Sequence, residues 1–137
     1  MEHIVVDASV IVASFFESED FHGRSQLYLD GLESGDYVFH LPMLTVVETV
    51  AAIGRRVQGN RQALLARAKK SLADWETAGK IVLYSLHRER MERAGTIAES
   101  HRLRGADAVV AALAEELSMT LKTFDREILD RFLLASA

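Results

Sequence analysis

The sequence contains no cysteine and a single proline, Pro42. The first absence removes disulfides, thiolate metal sites and cysteine nucleophiles together. Any chemistry the chain performs must therefore use oxygen and nitrogen groups. No apolar run approaches the ~20 residues that a membrane-spanning helix needs. The N-terminus also lacks a basic region followed by an apolar stretch and a cleavage site, so a cytoplasmic protein without membrane contact is expected. The five histidines, His3, His22, His40, His87 and His101, show neither HExxH nor His-x-His spacing. They are read as surface or core residues instead of ligands.

Charge of one sign is scarce in one place and missing in another. Residues 1–36 carry the acids Glu2, Asp7, Glu17, Glu19, Asp20, Asp30, Glu33 and Asp36 against one base, Arg24. Between Glu48 and Asp74 there is no acid, while Arg55, Arg56, Arg61, Arg67, Lys69 and Lys70 fall in that interval. The formal charge of −4 argues weakly against a polyanionic partner, but the distribution leaves room for a basic surface beside an acidic pocket. Two ordinary solvated helix faces would give the same pattern.

What is present fits one domain over residues 1–137, with 49% hydrophobic residues to fill a core. The stretch Ile4-Val5-Val6 reads as a buried strand ending on Asp7. A short buried helix is expected over 8–16. The acids Glu17, Glu19 and Asp20 are expected to cap a second helix that reaches about Gly35, with Leu27, Leu29 and Leu32 among its apolar positions. Tyr37 to Leu41 is a second strand, and Pro42 suits the first turn of a helix running to about Val57. Gly59-Asn60 breaks that pattern. Residues 61–78 form an amphipathic helix with Leu64, Leu65, Ala68, Leu72 and Trp75 near one side. Ile81 to Tyr84 is a third strand, 87–103 a helix, and Gly105 precedes an alanine-rich helix expected to pack closely on the sheet. Met119 to Thr123 is a fourth strand, and a last helix follows Asp125 to about Leu134. Strands alternating with helices imply a parallel sheet covered on both faces.

Four acids stand where such a sheet does chemistry, at the carboxyl ends of its strands. Asp7 and Asp125 each follow a strand, and each also suits a helix N-cap. Asp107 lies in a first helical turn, where the helix dipole favours an acid. Glu48 matches a capping box with Thr45 only if its helix starts at Thr45. Pro42 points to an earlier start, which puts Glu48 inside the helix beside Leu44, Ala51 and Ala52. A carboxylate on that face needs a partner or a metal. Four acids at one edge repel strongly without a counter-ion. An oxygen-only set suits Mg²⁺ or Mn²⁺ better than Zn²⁺.

Val5-Val6-Asp7-Ala8-Ser9-Val10, Glu48 after Pro42, Arg104-Gly105-Ala106-Asp107-Ala108 and Thr123-Phe124-Asp125 come in an order and spacing that resembles the PIN-domain ribonucleases, particularly the VapC type of toxin. The resemblance covers essentially the whole chain. It implies a three-layer α/β/α sandwich with a central parallel sheet of four to five strands. It implies that Asp7, Glu48, Asp107 and Asp125 are catalytic and hold one or two Mg²⁺ or Mn²⁺ ions. Ser9 and Thr123 match hydroxyl positions near the acids, and Arg104 a frequent basic position. The activity implied is metal-dependent endoribonuclease cleavage leaving 5′-phosphate and 3′-hydroxyl ends. The implied setting is the toxin of a type II toxin–antitoxin pair, with a cognate antitoxin and a homodimer as partners.

On that basis Arg55, Arg56, Arg61 and Arg104 are expected to help hold the RNA backbone, an exposed salt bridge being an equal account of Arg104. Phe15, Phe16, Phe21 and Tyr28 mark either a protein interface or core. Other functions stay open. A phosphoaspartate phosphatase also begins strand–Asp but needs a second acid where Ser9 stands. A receiver-type signalling domain wants an acid after the middle strand, where Leu83-Tyr84-Ser85 has none. A PIN-like module that binds RNA or a partner without cutting, or an RNA-processing nuclease that is not a toxin, would look much the same.

Overall fold

The computed structural model describes residues 1–56 and 61–137, with the side chain of Arg61 outside the description. In chain order the elements are β1 (Glu2–Val6), α1 (Ala8–Ala13), α2 (His22–Ser34), β2 (Tyr37–Pro42), α3 (Met43–Arg56) and α4 (Arg61–Thr77). They continue with β3 (Ile81–Tyr84), α5 (Arg88–His101), α6 (Gly105–Leu117), β4 (Leu121–Lys122), α7 (Arg126–Arg131) and β5 (Ala135–Ser136). The five strands form one sheet in the order β3-β2-β1-β4-β5, and every neighbouring pair is parallel. β1 is therefore central, with β4 beside it. That adjacency brings the ends of the two Asp-terminated strands together.

The apolar runs explain why the sheet is buried on both faces. Ile4 and Val6 of β1 point to the side of Phe39, Leu41 and Ile81, where Leu29 and Leu32 of α2 and Leu72 of α4 cover them. Val5 and Leu121 face the other way, against Ala108, Ala111 and Leu113 of α6 and Ala94 and Ile97 of α5. Phe39, Ile4, Leu41 and Leu121 are fully buried, each contributing roughly 1.5–3 kcal/mol of burial. The alanine-rich helix does pack closely: Ala108, Ala111 and Ala114 have no exposed surface. A smaller cluster of Val12, Ile53 and Ala68 joins α1, α3 and α4. Gly31 lies so close to the Tyr37 ring that any β-carbon there would collide with it.

Several boundaries differ from expectation for local reasons. α1 stops at Ala13, where Ser14 caps it by donating to the carbonyl of Ile11. The acids 17–20 do not cap α2; its N-cap position is Phe21 and makes no side-chain cap. Glu19 is instead paired with Arg56. Leu27 is an exposed residue of α2, and Tyr28 is core. Pro42 ends β2 opposite Tyr84 instead of opening a helix. α5 is bounded by His87, which accepts from the Arg90 amide, and by left-handed Arg102. β4 is shorter than expected, and α7 ends by Phe132. The chain then turns back into the sheet as β5, where the Leu121 and Thr123 amides donate to Leu134 and Ser136. Residues 57–60, which include the expected helix end at Val57 and the break at Gly59-Asn60, lie outside the described residues.

Candidate metal centre

Asp7 leaves β1 in extended conformation and caps α1. Its Oδ1 accepts from the Ser9 amide at 3.1 Å and from the Ser9 hydroxyl. Its Oδ2 accepts from the Thr123 hydroxyl at 2.6 Å. Both hydroxyls have a second task. Ser9 Oγ accepts from the Phe124 amide at 2.9 Å, and Thr123 Oγ1 from the Asp125 amide at 3.0 Å. Two short side chains thus tie the corner after β1 to the corner after β4. Thr123 is completely buried and Asp7 nearly so. Burial pushes the Asp7 carboxyl up to about 6 against the hydrogen bonds from Ser9 and Thr123, with the Asp125 charge adding to the rise.

Asp125 caps α7 with Oδ1, which accepts from the Glu127 and Ile128 amides at 2.9 and 3.2 Å. Asp107 sits in the first turn of α6. Its carboxyl is raised by burial and then by the Asp125 charge, while Arg104 opposes both. Glu48 lies well inside α3, because that helix begins at Met43. The capping box at Thr45 therefore does not form, and Thr45 is buried with its carbonyl accepting from the Thr49 hydroxyl. Half-buried Glu48 is raised first by desolvation, then by Asp107 and Asp7. Asp7, Glu48 and Asp107 thus each feel at least one other of the four acids across elements far apart in the chain. The structure brings all four to one edge of the sheet.

It also adds an acid that the sequence reading missed. Asp107, Asp125 and Glu127 each offer an oxygen within 4.8 Å of the others, which makes them a candidate cation site. Asp7 and Glu48 stand outside this tight trio. Glu127 was hidden because an acid in a first helical turn has an adequate local explanation. Its place two residues after a capping Asp was the available signal.

The basic residues are less free than expected. Arg56 pairs with Glu19 and lies over the Phe16 ring at 4.4 Å. Arg55 is exposed on α3. The side chain of Arg61 lies outside the described residues. Arg104 turns toward the acids, with Nε 3.3 Å from Asp107 and Nη2 3.5 Å from Asp125. Of the aromatic residues singled out, Phe15 and Phe16 are partly buried, and Phe21 stacks on Phe124 with ring centroids 4.5 Å apart.

Residues 4–132 match the sequence model of the PIN domain. The chain belongs to the PIN-domain family. Membership implies nuclease hydrolysis as the general activity. Among curated proteins none matches the chain. Solved structures that share the fold include PAE2754 from Pyrobaculum aerophilum, 22% identical with a TM-score of 0.72 over 98% of this chain and 82% of that one. VapC20 from Mycobacterium tuberculosis, described as a sarcin–ricin loop cleaving toxin, is 18% identical with a TM-score of 0.70 over 98% and 99%. A toxin–antitoxin complex from Klebsiella pneumoniae contains a chain 13% identical, with a TM-score of 0.71 over 98% and 96%. At these identities the likeness is one of fold.

The donor set fits a hard divalent cation. The trio is all carboxylate, and carboxylate and water oxygens suit Mg²⁺ and Mn²⁺. Among the described residues no histidine is hydrogen-bonded to these acids. No described helix is long and apolar enough to cross a membrane.

Proposed function

We propose that this PIN-domain protein is a Mg²⁺- or Mn²⁺-dependent endoribonuclease and the toxin of a type II toxin–antitoxin pair. The observation that carries the nuclease reading is the convergence of Asp7, Glu48, Asp107 and Asp125, joined by Glu127, at the carboxyl edge of a parallel sheet. Asp107, Asp125 and Glu127 would hold one cation, with Glu48 and Asp7 completing the acidic wall. A bound divalent cation supplies a water of lowered pKa and stabilises charge building on the phosphate. Ser9 and Thr123 fix the Asp7 carboxylate in one orientation, which is the usual work of groups behind a ligand. Arg55 and Arg56 on α3 would meet the RNA backbone at the rim.

RNA as substrate is supported by the description of VapC20 as a toxin cleaving the sarcin–ricin loop. An antitoxin partner is supported by the toxin–antitoxin complexes that share the fold. Met43 and Val47 of α3, with Leu86 and Met91, expose apolar surface that a homodimer would cover. A cytoplasmic setting follows from the same reading. The deciding experiment is cleavage of a panel of structured and single-stranded RNAs with Mn²⁺, Mg²⁺ or EDTA, comparing wild type with Asp7→Asn. Metal-dependent cleavage that Asp7→Asn loses is the expected result. Absence of cleavage on every RNA, with no metal-induced rise in melting temperature, would favour a binding module that does not cut.

A further inference from the structure

The acids at the mouth of the site already carry a cation. Arg104 Nε lies 3.3 Å from Asp107 Oδ2 and 3.6 Å from Glu127 Oε2, and its Nη2 lies 3.5 Å from Asp125 Oδ2. These are the same three residues whose oxygens gather within 4.8 Å. The guanidinium head therefore pairs with the same three carboxylates that a divalent ion would take. Building on the metal-dependent reading above, we propose that Arg104 is a built-in counter-ion. It competes with the divalent cation for Asp107, Asp125 and Glu127, and on release meets the incoming phosphate.

The local construction suits a latch that opens. The Arg104 side chain is 72% exposed, so its ion pairs are screened by water and individually weak. Its backbone is fixed as the N-cap of α6, but its side chain makes no capping hydrogen bond that would hold it down. Two of the three carboxylates, in contrast, have partners that do not depend on it. Asp125 remains held through its other oxygen by two amides. Glu127 keeps Arg131, whose Nη1 lies 2.9 Å away. A dication among these oxygens repels the guanidinium, while Asp125 and Glu127 keep their other partners. A freed guanidinium at the rim has the fork geometry that phosphate oxygens accept.

The test is calorimetric titration of Mn²⁺ alone into wild type, Arg104→Gln, Arg104→Lys and Asp107→Asn at pH 7.5 and low salt. When a competing group occupies a site, apparent affinity falls by the fraction of molecules in the open state. Arg104→Gln should thus bind Mn²⁺ more tightly, on the order of three- to tenfold given weak exposed pairs. Arg104→Lys should fall between it and wild type, and Asp107→Asn should lose the binding. Arg104→Gln should also cleave RNA with a raised KM and a smaller change in kcat. Unchanged or weaker Mn²⁺ binding in Arg104→Gln, with wild-type binding intact, overturns the competition and leaves the metal-dependent nuclease standing. Absence of Mn²⁺ binding in both wild type and Arg104→Gln overturns the two together. An unchanged KM removes the phosphate contact.

Discussion

The two ends of the acidic pocket are built on opposite principles. At the inner end, Asp7 is buried and held by three hydrogen bonds from Ser9 and Thr123. Burial lifts the Asp7 carboxyl to about 6. At the outer end, Asp107, Asp125 and Glu127 are partly exposed and share the exposed charge of Arg104. The inner end stores electrostatic stress in exchange for fixed geometry, and the outer end relieves its repulsion with a replaceable cation. Preorganisation and exchangeability are hard to combine in one group, and here they are divided between residues.

The largest effect should come from the outer end. Asp107→Asn removes one of the trio, and both the metal-induced rise in melting temperature and metal-dependent RNA cleavage should disappear, while stability in EDTA changes little. Equal metal responses in wild type and variant would mean that the trio is not the cation site.

At the inner end the sign of the stability change should depend on which partner is lost. Thr123→Val takes a donor from a buried carboxylate and an acceptor from the Asp125 amide. A cost of about 2–3 kcal/mol in urea unfolding at pH 7 is expected, since both abandoned groups remain desolvated. Thr123→Ser should recover most of it.

Asp7→Asn should act the other way. The folded carboxyl titrates at about 6, above its ordinary value of 3.8, so between those values the folded protein binds more protons than the unfolded chain. Stability attributable to this group therefore falls as pH rises through that window, and the loss is complete above about 6. In EDTA at pH 7.5 the asparagine variant should be more stable by about 1–3 kcal/mol, the upper limit being the full linkage of the shift. The advantage should vanish below pH 4. A variant less stable at pH 7.5 would show that the hydrogen bonds to the ionised form outweigh its burial.

The smallest effect belongs to the rim. Arg56→Gln breaks an exposed pair with Glu19 and should shift stability by no more than ~0.5 kcal/mol, while weakening RNA binding and flattening its salt dependence. A binding curve unchanged in both respects would take Arg56 out of the RNA path.

Most of this comparison could be anticipated from residues alone, though unevenly. Asp7 is an ordinary helix cap and a member of the acid cluster together, so its two sequence explanations were never exclusive. Glu48 was readable because Pro42 argued for a helix starting before Thr45, and α3 does start at Met43. Ser9 and Thr123 entered through family resemblance, and the structure adds that their hydroxyls donate to Asp7. Glu127 and the inward turn of Arg104 were not readable, because a first-turn acid and an exposed arginine each have a sufficient local account.

By itself the sequence determined the buried parallel sheet, the order of its helices and the four acids of its carboxyl edge. These are properties of periodicity, chain order and short-range capping, which a linear pattern carries. Only the tertiary structure decided that β1 lies next to β4, that β5 extends the sheet, that Asp7 is desolvated and that Glu127 and Arg104 join the pocket. Such outcomes depend on which side chains from distant segments reach the same few ångströms. Coulomb interaction and desolvation act through space, and they take no account of separation along the chain.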